Sequence, residues 1–160
     1  MNKQPIVQQV IAQLEAELGA AERAALSAHE TATHEENIAE NKYDTLGLEA
    51  AYLAAGQARR VEAIGQRLRT WRQLQLRDHD DARGIRLTAL VQLEDEHQRS
   101  QWLFIGPDGA GLKVRLGAHE VRVINPEAPL GQRLLGRQIG DEIVLQVTGG
   151  EQCFEVLAAY

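Results

Sequence analysis

Two apolar seams of the same period run through the first half of this chain, and they fit each other in reverse. The first is Val7, Ile11, Leu14, Leu18, Ala21, Ala25, Ala28 and Ala32. The second is Ala50, Ala54, Gln57, Val61, Ile64, Leu68, Trp71 and Gln75. Alternating steps of four and three keep each set on one stripe of a helix. Antiparallel partners have residue numbers that sum to 82, so Leu14 meets Leu68, Leu18 meets Ile64 and Ala28 meets Ala54. Large residues face large and small face small. That matching predicts one folded-back hairpin with its reversal near Asn41, roughly 50 Å long at the helical rise per residue.

The seams taper from bulky residues to alanines toward the reversal. This suits a thin probe for a narrow channel and equally suits an alanine-lined dimerisation stalk. The charges favour the probe. From Glu30 to Glu49 the acids are Glu30, Glu35, Glu36, Glu40, Asp44 and Glu49, against Lys42 alone. From Gly56 to Arg77 the sign reverses, with Arg59, Arg60, Arg67, Arg69, Arg72 and Arg77 against Glu62. Carboxylate oxygens at a tip suit a divalent cation, and a basic stripe suits a phosphate backbone. A solvated hairpin with no ligand remains the alternative. His29 and His34 lie five residues apart, so one helix face does not present both to zinc.

Composition shifts at residues 78–84, which read as a linker between a hairpin over 1–78, with its acidic tip at 35–49, and a second domain over 84–160. Three of the four prolines and most glycines follow it. Arg86–Leu93, Gln101–Ile105, Leu112–Leu116, Glu120–Ile124, Ile143–Val147 and Cys153–Leu157 read as strands. One short helix is expected in 126–135, closed by Gly136, and a hairpin across Gly149-Gly150. Cys153, the lone cysteine, is expected to be buried, as small apolar residues usually are. A net charge of −6 argues against general DNA binding. Phosphate-loop, nucleophile-elbow and dinucleotide fingerprints do not occur in the sequence. It shows neither a signal peptide nor a run able to cross a bilayer, so a cytoplasmic location is expected.

The segment Asn125-Pro-Glu-Ala-Pro-Leu-Gly-Gln-Arg-Leu-Leu-Gly136, followed by Gly140-Asp141 and Gly149-Gly150, resembles the C-terminal domain of the GreA/GreB transcript-cleavage factors. The resemblance extends to Ala50 and Tyr52 beside the tip. It implies an α+β protein: an N-terminal antiparallel α-helical coiled-coil hairpin, then an FKBP-like antiparallel β domain with a short helix. It implies a monomeric regulator of transcription elongation that binds RNA polymerase, enters its secondary channel and meets nascent RNA. Such a protein has no catalytic residues of its own and no tightly bound cofactor. Asp44 and Glu49 would be tip acids sharing Mg²⁺ with the polymerase, and Arg59, Arg60 and Arg67 the RNA-facing stripe. Pro126, Pro129, Arg133 and Arg137 would dock on the polymerase. With two Trp, two Phe and three Tyr, the chain has little to line an isomerase pocket.

The tip departs from the family pattern. Counted back from Tyr52, the family's two acids fall on Thr45 and Leu48, while Asp44 and Glu49 each stand one residue away. Cleavage stimulation, channel occlusion without cleavage, and an unrelated coiled-coil interaction or dimerisation module therefore all stay open.

Overall fold

The computed structural model describes residues 1–34 and 46–160, with Leu46 and Gly47 described by backbone alone. Among the described residues two helices come first, α1 (Gln4–Thr33) and α2 (Leu46–Arg72). Six strands and one short helix follow: β1 (Leu90–Asp95), β2 (Ser100–Ile105), β3 (Lys113–Leu116), β4 (His119–Ile124), α3 (Pro129–Leu134), β5 (Glu142–Val147) and β6 (Gly150–Ala159). The chain forms two compact units. One comprises Met1–Val10 and Thr70–Tyr160; the other is Ile11–Arg69.

In the helical unit both seams are covered. Leu14, Ala21 and Ala28 of α1 are buried, as are Ile64 and Leu68 of α2. Leu18, Ala25, Ala50, Ala54, Gln57 and Val61 are half-buried. Glu17 pairs with Arg60 at 3.7 Å and with Arg67 at 3.8 Å. A shallow cavity farther along is lined by Ala24, Ala28 and Thr31 from α1 and by Ala50, Leu53 and Gln57 from α2. Rising numbers on one helix thus meet falling numbers on the other, as an antiparallel hairpin requires. The second seam ends earlier than expected: α2 stops at Arg72, and Gln75 is exposed beyond it.

The other unit is a six-stranded sheet in the order β3-β4-β2-β1-β6-β5. Four of its five strand pairings are antiparallel, but β2 and β4 run parallel, with Trp102 beside Val121 and Ile105 beside Ile124. The expected antiparallel sheet is therefore mixed. Side chains alternate across it. One face buries Val91, Leu93, Leu103, Ile105, Ile124, Ile143, Phe154 and Val156 against Leu130 and Leu134 of α3. The other face carries Leu90, Phe104, Val121 and Val123, all fully buried. Trp71, at the end of α2, lies 6.1 Å from Phe104 between ring centroids. The Gly106–Gly109 turn closes over its indole. A Cβ on Gly106 would come 2.7 Å from that ring.

The start of α1 is built into this unit as well. Ile6, Val7 and Val10 are buried. The buried Lys3 ammonium donates to the main-chain oxygens of Arg77 and, at 2.9 Å, Tyr160. Burial lowers its pKa; Asp78 opposes that and Arg86 adds to it. Gln9 closes the β3 edge: its Nε2 donates to Arg115 O at 2.6 Å and its Oε1 accepts from Arg115 N at 2.8 Å.

Two local expectations fail for physical reasons. The strand expected from Arg86 starts only at Leu90, because Thr88 takes a left-handed backbone with φ of 72°. That turn aims the Thr88 hydroxyl at Arg77 N, from which it accepts at 3.0 Å. Cys153 is exposed rather than buried. Phe154 and Val156 face the core, so strand alternation turns Cys153 outward.

Candidate functional site

The segment from Asn125 to Arg137 is a turn, a helix and a clasp held by main-chain geometry. Asn125 Oδ1 accepts from Ala128 N at 2.7 Å and so shapes the entry to α3. Pro129 opens the helix, where its missing N–H costs nothing. Gly131 follows because no other residue fits: a Cβ there would lie 2.1 Å from Asn125 O. Gly136 ends the helix with φ of 77°. Its N–H donates to Ile85 O at 2.7 Å, and Ile85 N donates to Arg137 O at 2.9 Å. Gly84 lets these strands of chain approach, since a Cβ on it would sit 2.7 Å from Gly136 O.

This framework buries Leu130 and Leu134 and turns a mixed surface outward. Pro129, Arg133 and Arg137 are exposed and Pro126 is half-buried. Leu135 and Ile139 are 40% and 50% exposed beside them. Arg137 Nε donates to Arg133 O at 3.3 Å, which holds the two arginines near each other. Apolar and cationic groups on a rigid loop suit a protein partner better than a small molecule. The sequence reading picked out the prolines and arginines here. It missed Leu135 and Ile139, because nothing local tells an exposed leucine from a buried one.

In the helical unit, Glu49 is exposed in the first turn of α2, where the helix dipole favours an acid. Asp44 lies outside the described residues. Leu48 is 54% exposed, and Tyr52 and Leu53 are exposed with it. Arg59 and Arg60 are exposed and Arg67 is half-buried. Arg60 and Arg67 converge on Glu17, so part of the basic stripe is locally neutralised. Among the described residues, no group of three or more His, Cys, Asp or Glu side chains is placed to hold a metal ion.

The model of the family described as "Transcription elongation factor, GreA/GreB, C-term" matches residues 81–160, half of the chain. The chain belongs to the GreA/GreB family. The match takes in the Asn125–Gly136 framework, the Gly84 clasp and every strand of the sheet. Among solved structures, the chain is similar to GreA factor homolog 1 (Gfh1) of Thermus thermophilus, at 24% identity over 94% of each chain and a TM-score of 0.39. It is also similar to Gfh1 of Thermus aquaticus, at 22% identity over 93% of this chain and 92% of that one, with a TM-score of 0.39. GreA/GreB from Nitrosomonas europaea matches at 17% identity over 70% and 91%, with a TM-score of 0.37. A search of curated proteins gave no match. No described helix is long and apolar enough to cross a membrane.

Proposed function

We infer that this protein binds RNA polymerase through the Asn125–Arg137 surface and regulates elongation by inserting its α1–α2 hairpin into the secondary channel. The family match over 81–160 carries this reading. The exposed Pro129, Arg133 and Arg137 on a framework held by Gly131 and Gly136 support the docking surface. The tapering alanine seams support a hairpin thin enough to enter. The protein brings no catalytic group of its own. Any hydrolysis of backtracked RNA belongs to the polymerase, with Asp44 and Glu49 as helpers at a shared Mg²⁺ and Arg59, Arg60 and Arg67 along the RNA.

The exposed Leu48 favours occlusion of the channel over stimulated cleavage. An apolar side chain offers no oxygen to Mg²⁺. The deciding measurement adds purified protein to core polymerase and to stalled elongation complexes. Association at micromolar concentration, competed by GreA or GreB, is expected; no association overturns the reading. Transcript cleavage lost on Asp44→Asn or Glu49→Gln, with binding intact, would restore the cleavage role. Arg133→Glu with Arg137→Glu is expected to weaken association without unfolding the sheet. Unchanged affinity would place docking elsewhere.

A further inference from the structure

The two edges of the sheet are treated differently. The β3 edge is closed by the Gln9 amide, which exchanges two hydrogen bonds with Arg115. Among the described residues, the β5 edge has no such cover. Val156 N donates to Asp141 O at 3.0 Å, and β5 then pairs with β6 in unbroken register from Glu142 beside Glu155 to Val147 beside Gly150. Alternation from that bond turns the main-chain groups of Ile143, Leu145 and Val147 toward β6. The two-residue Thr148-Gly149 loop closes on Val147 and Gly150, which agrees with this phase. The N–H and C=O groups of Glu142, Val144 and Gln146 therefore point outward. Among the described residues, no main-chain bond beyond the β5–β6 ladder reaches them.

Free edges are normally blunted by lysine, proline or a bulge. Glu142-Ile-Val-Leu-Gln-Val147 has no lysine or proline, and its register shows no bulge. Val144 and Val147 are 39% and 37% exposed. The chemistry beside the edge is specific. Glu142 stands directly opposite Glu155, and Glu155 directly opposite Glu94, so three carboxylates cross the sheet in one row. Like charges directly opposite repel. No ion pair among the described residues relieves any of the three.

We propose that the β5 edge is a docking site for an extended strand of a partner protein, one that sets a lysine or arginine against the Glu142–Glu155 row and a β-branched residue beside Val144. Main-chain bonds to Glu142, Val144 and Gln146 supply the affinity, and the carboxylate row supplies the selectivity. A second copy of this chain is the poorer occupant, because its own β5 carries no cation to bring to the row. The proposal does not depend on polymerase binding.

The test titrates full-length protein with a blocked Lys-Val-Thr-Val-Arg-Val peptide and, separately, with Glu-Val-Thr-Val-Glu-Val, following amide hydrogen exchange. The basic peptide is expected to slow exchange at Glu142, Val144 and Gln146, and the acidic one to leave it unchanged. Val144→Pro removes an outward N–H without touching the β6 ladder, as edge prolines do, and is expected to abolish protection. Glu142→Lys with Glu155→Lys keeps the edge and is expected to weaken the basic peptide about tenfold. Equal protection by both peptides, or binding unchanged in both variants, overturns the proposal. Slow exchange in peptide-free protein overturns it as well. If that slowing grows with protein concentration, the occupant is a second copy.

Discussion

Two glycine-to-alanine substitutions should move stability in opposite directions. In an exposed helix, alanine gains about 0.5–1 kcal/mol over glycine, because the unfolded chain has less freedom to lose. Gly56 in α2 has no atom within 4 Å of a new Cβ, so Gly56→Ala should show that gain. Gly131 is also helical, but its Cβ would stand 2.1 Å from Asn125 O, against an ordinary contact of 3.4 Å or more. Relief needs α3 to lift by more than an ångström. Both bonds from Ala128 N to Asn125 would stretch, at 2.7 Å to Oδ1 and 3.3 Å to the carbonyl. Losing them costs about 1 kcal/mol. A gap of that size also forfeits a quarter to a half of the dispersion contacts of the buried Leu130 and Leu134. Part of a large-to-small core loss, about 1–3 kcal/mol, is the fair comparison. The net expectation is about 2–4 kcal/mol of destabilisation on these terms. Urea unfolding followed by circular dichroism measures both variants. A Gly131→Ala protein as stable as the parent would refute the claim that the Asn125–Gly136 framework depends on this close approach.

The β1–β2 turn should weaken in acid. Asp95 accepts from Arg99 N, His97 N and the Arg99 guanidinium, and these bonds, led by the one from Arg99 N, hold its carboxyl below the usual range. A depressed folded pKa means that its contribution is complete above the unfolded value and is lost as pH falls through the folded one. Titration of the Asp95 carboxylate by NMR should show that low value, and Asp95→Asn should flatten the acid limb of the stability curve. Glu120, lowered chiefly by the Lys113 hydrogen bond, should behave alike and respond to Lys113→Ala. Lys3 carries the same sign of slope in a different window: its folded pKa is lowered by burial, so the unfolded chain binds more protons between that value and the ordinary one. Stability measured through that alkaline window should rise with pH, and the rise should vanish in Lys3→Met. Gln9→Ala should cost about 1 kcal/mol and speed amide exchange at Arg115.

The hairpin was legible because its signal is periodic. A seam of eight positions repeats the same information, and each described position of the first seam proved buried or half-buried. The motif at Asn125–Gly136 was legible for a different reason: prolines and glycines mark backbone shapes that other residues resist. The parallel pairing of β2 with β4 left no local mark, since a strand's partner is set by the whole sheet. Thr88 gave no warning of its left-handed turn, because its reason lies in a hydrogen bond to Arg77, eleven residues away. The phase of β6 was ambiguous, with Cys153 and Phe154 both apolar; only the core decides which one faces inward. At the candidate site, Glu49 was legible as charge and is exposed, while Asp44 lies outside the described residues.

Lys3 reaches Tyr160 across 157 positions of chain, and Gln9 reaches Arg115 across 106. The sheet unit is therefore sewn from both sides of an inserted segment of helix. On a ribosome, Ile6, Val7 and Val10 emerge early and wait uncovered until the last strand has been made. The helical pair can close while synthesis continues, because its seams lie close in the chain, but the sheet cannot be completed until then. Contacts of such long reach slow folding. Refolding should thus run in two stages, helix first and sheet later, and the later stage should set the rate at which working protein appears.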